Sequence, residues 1–159
     1  MKKFISTSLS IFLMTLISLS QIKVYKGNST YSSDIICNLS NDKIYNKSSN
    51  HTSDVICTIK DDKVYKGNST YSSDVIFTIK DMKVYRGNST YFGDILYTMR
   101  NGKLYKGNST YSSDIICNKK ENKVYNANST YSSDIQFSWQ GLLTIEEFIA
   151  VFYAIKYNY

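Results

Sequence analysis

An aspartate recurs every 20 residues along the chain, and a ladder of carboxylates is a pattern that could bind calcium. Calcium-binding rolls use a glycine-rich nonapeptide, whereas this aspartate ends a string such as Ser-Ser-Asp in a longer repeat. We therefore expect these carboxylates to accept hydrogen bonds from turn N–H groups or to pair with lysines of neighbouring units. The ladder consists of Asp34, Asp54, Asp74, Asp94, Asp114 and Asp134. The sequence predicts no metal site.

Two tyrosines in each complete unit form a second ladder, and aromatic faces with polar rims suit binding. The first, such as Tyr65, is expected to pack between adjacent units. For the second, such as Tyr71, the sequence leaves two roles possible. It either packs between units in the same way, or it is exposed and stacks on sugar rings. In that alternative, asparagines of the same strings would donate hydrogen bonds at the rim. The stacking residues would be Tyr31, Tyr71, Tyr91 and Tyr111, and the rim donors would be Asn28, Asn68, Asn88 and Asn108.

The sequence lacks the common motifs that would indicate a particular enzymatic reaction. It contains no G-x-S-x-G elbow, no H-E-x-x-H and no phosphate-binding loop. The single histidine, His51, stands where other units have the second tyrosine, and one histidine cannot build a metal site. We predict no catalytic residue and no cofactor, and a hydrolase is the least favoured alternative.

Three cysteines occupy one repeat position, which other units fill with phenylalanine or tyrosine. Such a position is apolar and inward, so buried free thiols are one interpretation. Cys37 and Cys57 lie in adjacent units, so a disulfide between them is the other, and it would leave Cys117 unpaired. No C-x-x-C spacing supports a zinc or redox site.

The elements that position these residues follow from the repeat, because a fixed period indicates stacked or ringed units. Residues 63–66 and 73–80 of the third unit predict two strands, joined by a turn at 67–70. Asn101-Gly102 predicts a tight hairpin between units. We predict a mainly β fold of six hairpin repeats arranged as petals around an axis, flower- or propeller-like. The repeats span about 23–42, 43–62, 63–82, 83–102, 103–122 and 123–141.

Residues 142–159 change to helical spacing and predict one amphipathic helix. Thr144 and Glu147 form a T-x-x-E capping box at its start. The favoured interpretation is a helix that caps or plugs open apolar surface of the repeats. The alternative is a helix that docks to a membrane surface or a partner. The low positive charge of the helix argues against binding to a membrane surface.

The first 20 residues are predicted to be a secretory signal peptide, followed by a single domain over 21–159. Lys2 and Lys3 precede an apolar stretch over 4–19, and a small-x-small site lies before Gln21. The alternative is an uncleaved membrane anchor; after cleavage no transmembrane segment is expected. The protein is therefore predicted to be exported, to the periplasm, the cell surface or the medium.

The charge balance is modestly basic. Without Lys2 and Lys3 the chain keeps 17 Lys+Arg against 13 Asp+Glu, a net charge of +4. A lysine recurs once per repeat, two residues before the first tyrosine, and the lysines do not cluster in sequence, which favours a solvated face over a nucleic-acid partner.

The repeat K-V-Y-x-G-N-S-T-Y-S-S-D, followed by L-T-I-E-E-F-I-A-V-F-Y, resembles the four-fold β-flower proteins. The resemblance covers residues 22–159 and implies hairpins arranged like petals about an axis. It also implies a small exported protein of Bacteroidetes type with an uncharacterised function, and it brings no catalytic residue and no ligand. Four-fold symmetry implies four petals, whereas this chain has six units.

The leading functional hypothesis is a non-enzymatic repeat protein with a structural or interaction role. The alternative is a lectin-like module that uses the tyrosines and asparagines named above. The expected partner is a glycan or a cell-envelope protein, with no nucleic acid. Exchange of petals between chains would produce a homo-oligomer.

Overall fold

Twelve antiparallel strands close into one barrel in the computed structural model, which describes residues 21–158, with side chains through Lys156. The predicted signal peptide lies outside these residues. The strands alternate four-residue and six-residue lengths over most of the ring. They are β1 (Ile22–Lys26), β2 (Ile35–Ser40), β3 (Lys43–Asn46), β4 (Val55–Lys60), β5 (Lys63–Lys66), β6 (Val75–Lys80), β7 (Lys83–Arg86), β8 (Ile95–Arg100), β9 (Lys103–Lys106), β10 (Ile115–Lys120), β11 (Lys123–Asn126) and β12 (Ile135–Trp139).

The ring closes where the first strand meets the last. Val24 is the Cα partner of Trp139 and Lys26 that of Phe137, so neither β1 nor β12 keeps an open edge. Each unit contributes two strands, and all six units belong to the ring. This arrangement confirms the predicted mainly β fold of hairpin repeats around one axis, followed by one helix.

One end of the barrel carries two-residue turns. Lys60 pairs with Lys63, leaving only Asp61 and Asp62 in the turn, at φ of 50° and 59°. Two consecutive residues with positive φ define the type I′ turn, whose twist matches that of the flanking strands. Asn101 and Gly102 adopt the same conformation, as their sequence predicts. We call this the turn end, and the opposite end, where the longer loops leave the strands, the petal end.

A β-bulge in each unit explains the apolar residue that breaks strand alternation. Val64 pairs with Phe77 but the next residue, Tyr65, pairs with Val75, so Ile76 is the extra residue. Ile76 and Phe77 therefore both contact the central apolar cluster, although they are consecutive. The bulge rotates the strand without breaking the barrel.

The helix α1 (Ile145–Asn158) begins with the predicted capping box. Thr144 N–H donates to Glu147 Oε2 at 2.7 Å, and Glu147 N–H donates to Thr144 Oγ1 at 3.2 Å. These two bonds satisfy groups that have no partner within the helix. Within residues 21–158, no helix combines the length and apolar character needed to cross a membrane.

The helix lies inside the barrel, where strands around the ring contact it. The ring of Tyr153 meets that of Phe77 edge-on at 5.4 Å between centroids, and Phe152 meets Tyr97 at 6.2 Å. On another part of the wall, Phe148 lies 6.4 Å from Trp139. A helix buried nearly all round is apolar nearly all round. It plugs the barrel instead of covering one end.

Lys119 replaces an apolar residue in the fifth unit, and its side chain contacts an aromatic ring of the core. Its ammonium lies 5.5 Å from the centroid of the Trp139 ring. Trp139 is the sixth-unit residue at the same repeat position. The one charged residue at this position therefore forms a cation–π pair with the aromatic residue of the next unit.

Candidate functional site

From here on, "petal" means a loop at the petal end of the barrel and no longer a whole hairpin repeat. Each petal runs from an odd-numbered strand to the next even-numbered one. In the third petal, Gly67 has φ of 56°, and a 3₁₀ turn spans Ser72–Asp74. Lys47 and Ala127 adopt the same left-handed conformation in the second and sixth petals, at φ of 52° and 46°. The petal backbone thus keeps one shape even where glycine is replaced.

A serine and an aspartate hold each petal together. Ser69 Oγ–H donates to Asp74 Oδ2 at 2.5 Å, and Tyr71 N–H donates to Ser69 Oγ at 3.1 Å. The same Ser–Asp bond recurs in the other petals. The aspartate ladder is thus structural, but its partner is a serine hydroxyl and not the predicted turn N–H or lysine. Among residues 21–158, no group of three or more His, Cys, Asp or Glu could hold a metal ion.

Removing this hydroxyl should loosen a petal. We expect Ser69→Ala to lower the free energy of unfolding by about 1–2 kcal/mol, because Asp74 loses a hydrogen bond to a charged oxygen. Ser72→Ala is the matched control, because Ser72 is exposed and the fourth unit carries Phe92 there; its effect should stay below about 0.5 kcal/mol. Urea unfolding measures both, and equal effects would contradict the assigned role of Ser69.

Side chains of the barrel wall anchor the petals to its outer face. Thr58 Oγ1–H donates to the carbonyl of Gly67 at 2.8 Å. Asn38 takes the same role for the second petal, because its Nδ2 donates to the carbonyls of Lys47 and Ser49 at 2.8 and 2.7 Å. Each petal therefore folds back over the wall of the preceding hairpin, and the first tyrosines are buried in the outer layer, as predicted. Those tyrosines are Tyr25, Tyr45, Tyr65, Tyr85, Tyr105 and Tyr125.

The second tyrosines are exposed on these anchored petals. Four of them were predicted as stacking residues, and a fifth, Tyr131, follows from the same period but was missed. In the second petal, His51 replaces this tyrosine and is exposed too. The predicted rim asparagines Asn28, Asn68, Asn88 and Asn108 are exposed on the same petals. The exposed fractions are 73% for Tyr31, 76% for Tyr71, 80% for Tyr91, 75% for Tyr111 and 75% for Tyr131.

We call these five tyrosines and His51 the aromatic ring. Rings exposed to this degree contribute little to the core. The fourth petal differs in adding Phe92, 72% exposed, beside Tyr91. The structure shows that the ring residues are accessible, while sugar stacking stays a prediction.

The three cysteines are free and buried. Burial raises the pKa of Cys37 and of Cys117 to about 12 and that of Cys57 further still, with Cys37 adding to the shift of Cys57. The Cys57 thiol lies 3.9 Å from the carbonyl of Ala150 in the helix. Of the two interpretations of the sequence, the structure shows the buried thiols and not the disulfide.

An open cavity of about 790 Å³ lies at the petal end, where the first and sixth units meet the end of the helix. Its charged lining residues are Lys26, Asp34 and Lys156. Asp34 is bonded to Ser29, and the Lys156 ammonium lies 5.7 Å from the Phe152 ring centroid. Because two of the three charged groups already have partners, the aromatic ring remains the better candidate site.

The fold and the repeated petals define a class of protein, a closed ring of six two-stranded repeats around a central helix. The family model of the 6-fold beta flower protein matches residues 24–152. The chain belongs to this family. The four-fold resemblance was therefore right about the β-flower architecture and wrong about its symmetry. No curated protein and no solved structure shows a significant match to the chain.

Proposed function

We propose that this β-flower repeat protein is exported and non-enzymatic and acts by binding, with the aromatic ring as its contact surface. The observation that carries the proposal is the sixfold presentation of exposed aromatic or histidine side chains on petals pinned by Ser–Asp bonds. Pinned petals lose little conformational freedom when a partner binds, which favours affinity. Six contacts at the same repeat position also favour a partner with repeated features, since linked contacts raise avidity.

Export is supported by the pattern of the first 20 residues. A non-enzymatic role is supported by the repetition of the petal groups, because catalysis usually needs one distinct group of acid, base or nucleophile. A structural role as one building element of the cell envelope is compatible with the same ring.

A glycan is the partner that the ring favours. Tyrosine faces stack on sugar rings, and the asparagines and threonines of the same petals are exposed beside them. Polysaccharides and surface glycans repeat their units, as the petals do. A cell-envelope protein is the second candidate partner, and the adjacent Tyr91 and Phe92 would suit an apolar contact with it.

A glycan array with the purified full chain tests this proposal. We expect the triple variant Tyr71→Ala, Tyr91→Ala, Tyr111→Ala to lose binding more than tenfold, because stacked aromatics dominate such contacts. The matched control replaces the preceding residues, Thr70→Ala, Thr90→Ala, Thr110→Ala, which are exposed on the same petals. The control should bind within about twofold of the unmodified chain.

Both triple variants should unfold at the temperature of the unmodified chain, since the replaced side chains are exposed. Equal glycan binding by the tyrosine variant and the unmodified chain would overturn the aromatic ring as the site. Absence of glycan binding by the unmodified chain would overturn the glycan as partner and direct the search to envelope proteins.

A further inference from the structure

Ten cations meet on the outer wall of the barrel near its turn end, although they are scattered along the sequence. They come from the last residue of β4, β6, β8 and β10, the first residue of β3, β5, β7, β9 and β11, and the second residue of β1, on the face opposite the core. We call them the cation belt: Lys23, Lys43, Lys60, Lys63, Lys80, Lys83, Arg100, Lys103, Lys120 and Lys123.

Pairing of the strands places many of these cations side by side. Lys60 is the Cα partner of Lys63, and Lys80 that of Lys83. Arg100 with Lys103, and Lys120 with Lys123, repeat the arrangement. Opposed side chains on antiparallel strands are close enough to repel when they carry the same charge. Four such pairs disfavour folding, so an anion that lies between the two cations of a pair would relieve a repulsion already present.

The shape of the belt decides which anion fits it. The cations point outward from a curved wall, so a flat membrane could touch only a few of them at once. A membrane that approached the turn end would meet the turn carboxylates, such as Asp61 and Asp62, before the belt. A flexible linear polyanion can follow the curve and contact successive pairs, with release of its counterions.

The belt also lies next to the petals. Lys63 is the Cα partner of Thr78, whose hydroxyl donates to the carbonyl of Gly87 at the start of the fourth petal. Lys103 is likewise the partner of Asn118, which donates to the carbonyl of Ser129 in the sixth petal. The anchor of a petal and a cation of the belt thus occupy neighbouring positions on one wall.

We infer that the cation belt binds a linear anionic polysaccharide. The saccharide part of this inference rests on the proposed function, with sugar rings contacting the aromatic ring. The belt itself accounts for the charge of the ligand, since its ammonium groups match carboxylates or sulfates spaced along a chain.

The test measures affinity of the full chain for polygalacturonate and for its fully methyl-esterified, neutral form. We expect the acid form to bind at least tenfold more tightly, with an affinity that falls as salt is added. The belt variant Lys60→Gln, Lys63→Gln, Lys80→Gln, Lys83→Gln should lose at least tenfold in affinity for the acid form.

The matched control removes four cations from the petal ends of strands instead, as Lys26→Gln, Lys66→Gln, Arg86→Gln, Lys106→Gln. Both variants lower the net charge by four, so a general charge effect would weaken them equally. We expect the control to bind within about threefold of the unmodified chain. Equal losses in the two variants would overturn the belt as the site.

Binding by the tyrosine triple variant and by the belt variant distinguishes failure of this inference from failure of the proposed function. Equal binding of the acid and neutral polymers, lost only in the tyrosine triple variant, would overturn the belt and leave the aromatic ring standing. Binding of the acid polymer that depends on the belt but not on the tyrosines would overturn the ring and leave the belt. Tighter binding to polyphosphate or to vesicles of anionic phospholipid than to polygalacturonate would overturn the polysaccharide as the ligand.

Discussion

Replacing Phe148 by alanine is expected to lower the free energy of unfolding by about 3–5 kcal/mol. Phe148 is fully buried in the helix and packs against Trp139 and Phe152, at ring distances of 6.4 and 6.3 Å. The barrel wall is closed by hydrogen bonds all round, so it cannot collapse into the space that the lost ring leaves. A cavity that stays open makes such a substitution most costly.

Phe92→Ala is the matched control, because it removes the same side chain from a petal where it is 72% exposed. Its effect should stay within about 0.5 kcal/mol. Urea unfolding followed by tryptophan fluorescence suits both variants, since Trp139 lies beside Phe148. Phe148→Leu keeps most of the packing and serves if the alanine variant does not fold. A cost below about 1 kcal/mol for Phe148→Ala would contradict a helix inside the barrel.

Raising the pH from 7 to 10 is expected to remove about 4 kcal/mol of stability through the three thiols alone. In the fold, burial holds the pKa of Cys37 and Cys117 at about 12 and that of Cys57 higher, against an ordinary value of 9.0. A raised pKa in the fold contributes stability that is fully present below pH 9 and lost as the pH rises towards 12. One pH unit above the unfolded pKa corresponds to about 1.4 kcal/mol for each thiol.

The matched comparison is the triple variant Cys37→Val, Cys57→Val, Cys117→Val, measured under a reducing agent at both pH values. Lysines and tyrosines titrate in both proteins, so the difference between their losses of stability isolates the thiols. The unmodified chain should lose about 4 kcal/mol more than the variant. Parallel pH dependences would show that the thiols are accessible to water in the fold.

The short-range elements of the chain could largely be predicted from the sequence. The strand over 63–66, the tight turn at 101–102 and the capping box of Thr144 and Glu147 all depend on contacts within about ten residues. The exposed Tyr71 could not be separated from a packed one, because its environment depends on where the neighbouring petal lies. The partner of Asp74 was predicted wrongly, because the sequence does not show which nearby donor, a turn N–H, a lysine or a serine hydroxyl, the fold places against its carboxylate.

The sequence by itself determined the period, the first strand of each unit, the tight turns and the presence of one apolar helix, because these follow from local backbone preferences and from the spacing of apolar side chains. The second strand, predicted over 73–80, begins only at Val75, because a 3₁₀ turn occupies Ser72–Asp74. The tertiary structure alone decided the rest. Closure of β1 on β12 places all six units in one ring, since an unpaired edge would leave backbone groups unsatisfied. A ring of twelve strands encloses a space lined by apolar side chains. The helix fills this space because its apolar side chains remove those of the wall from water. The same closure brings lysines 20 residues apart side by side on the outer wall, so that the solvated face predicted from the sequence forms one continuous belt.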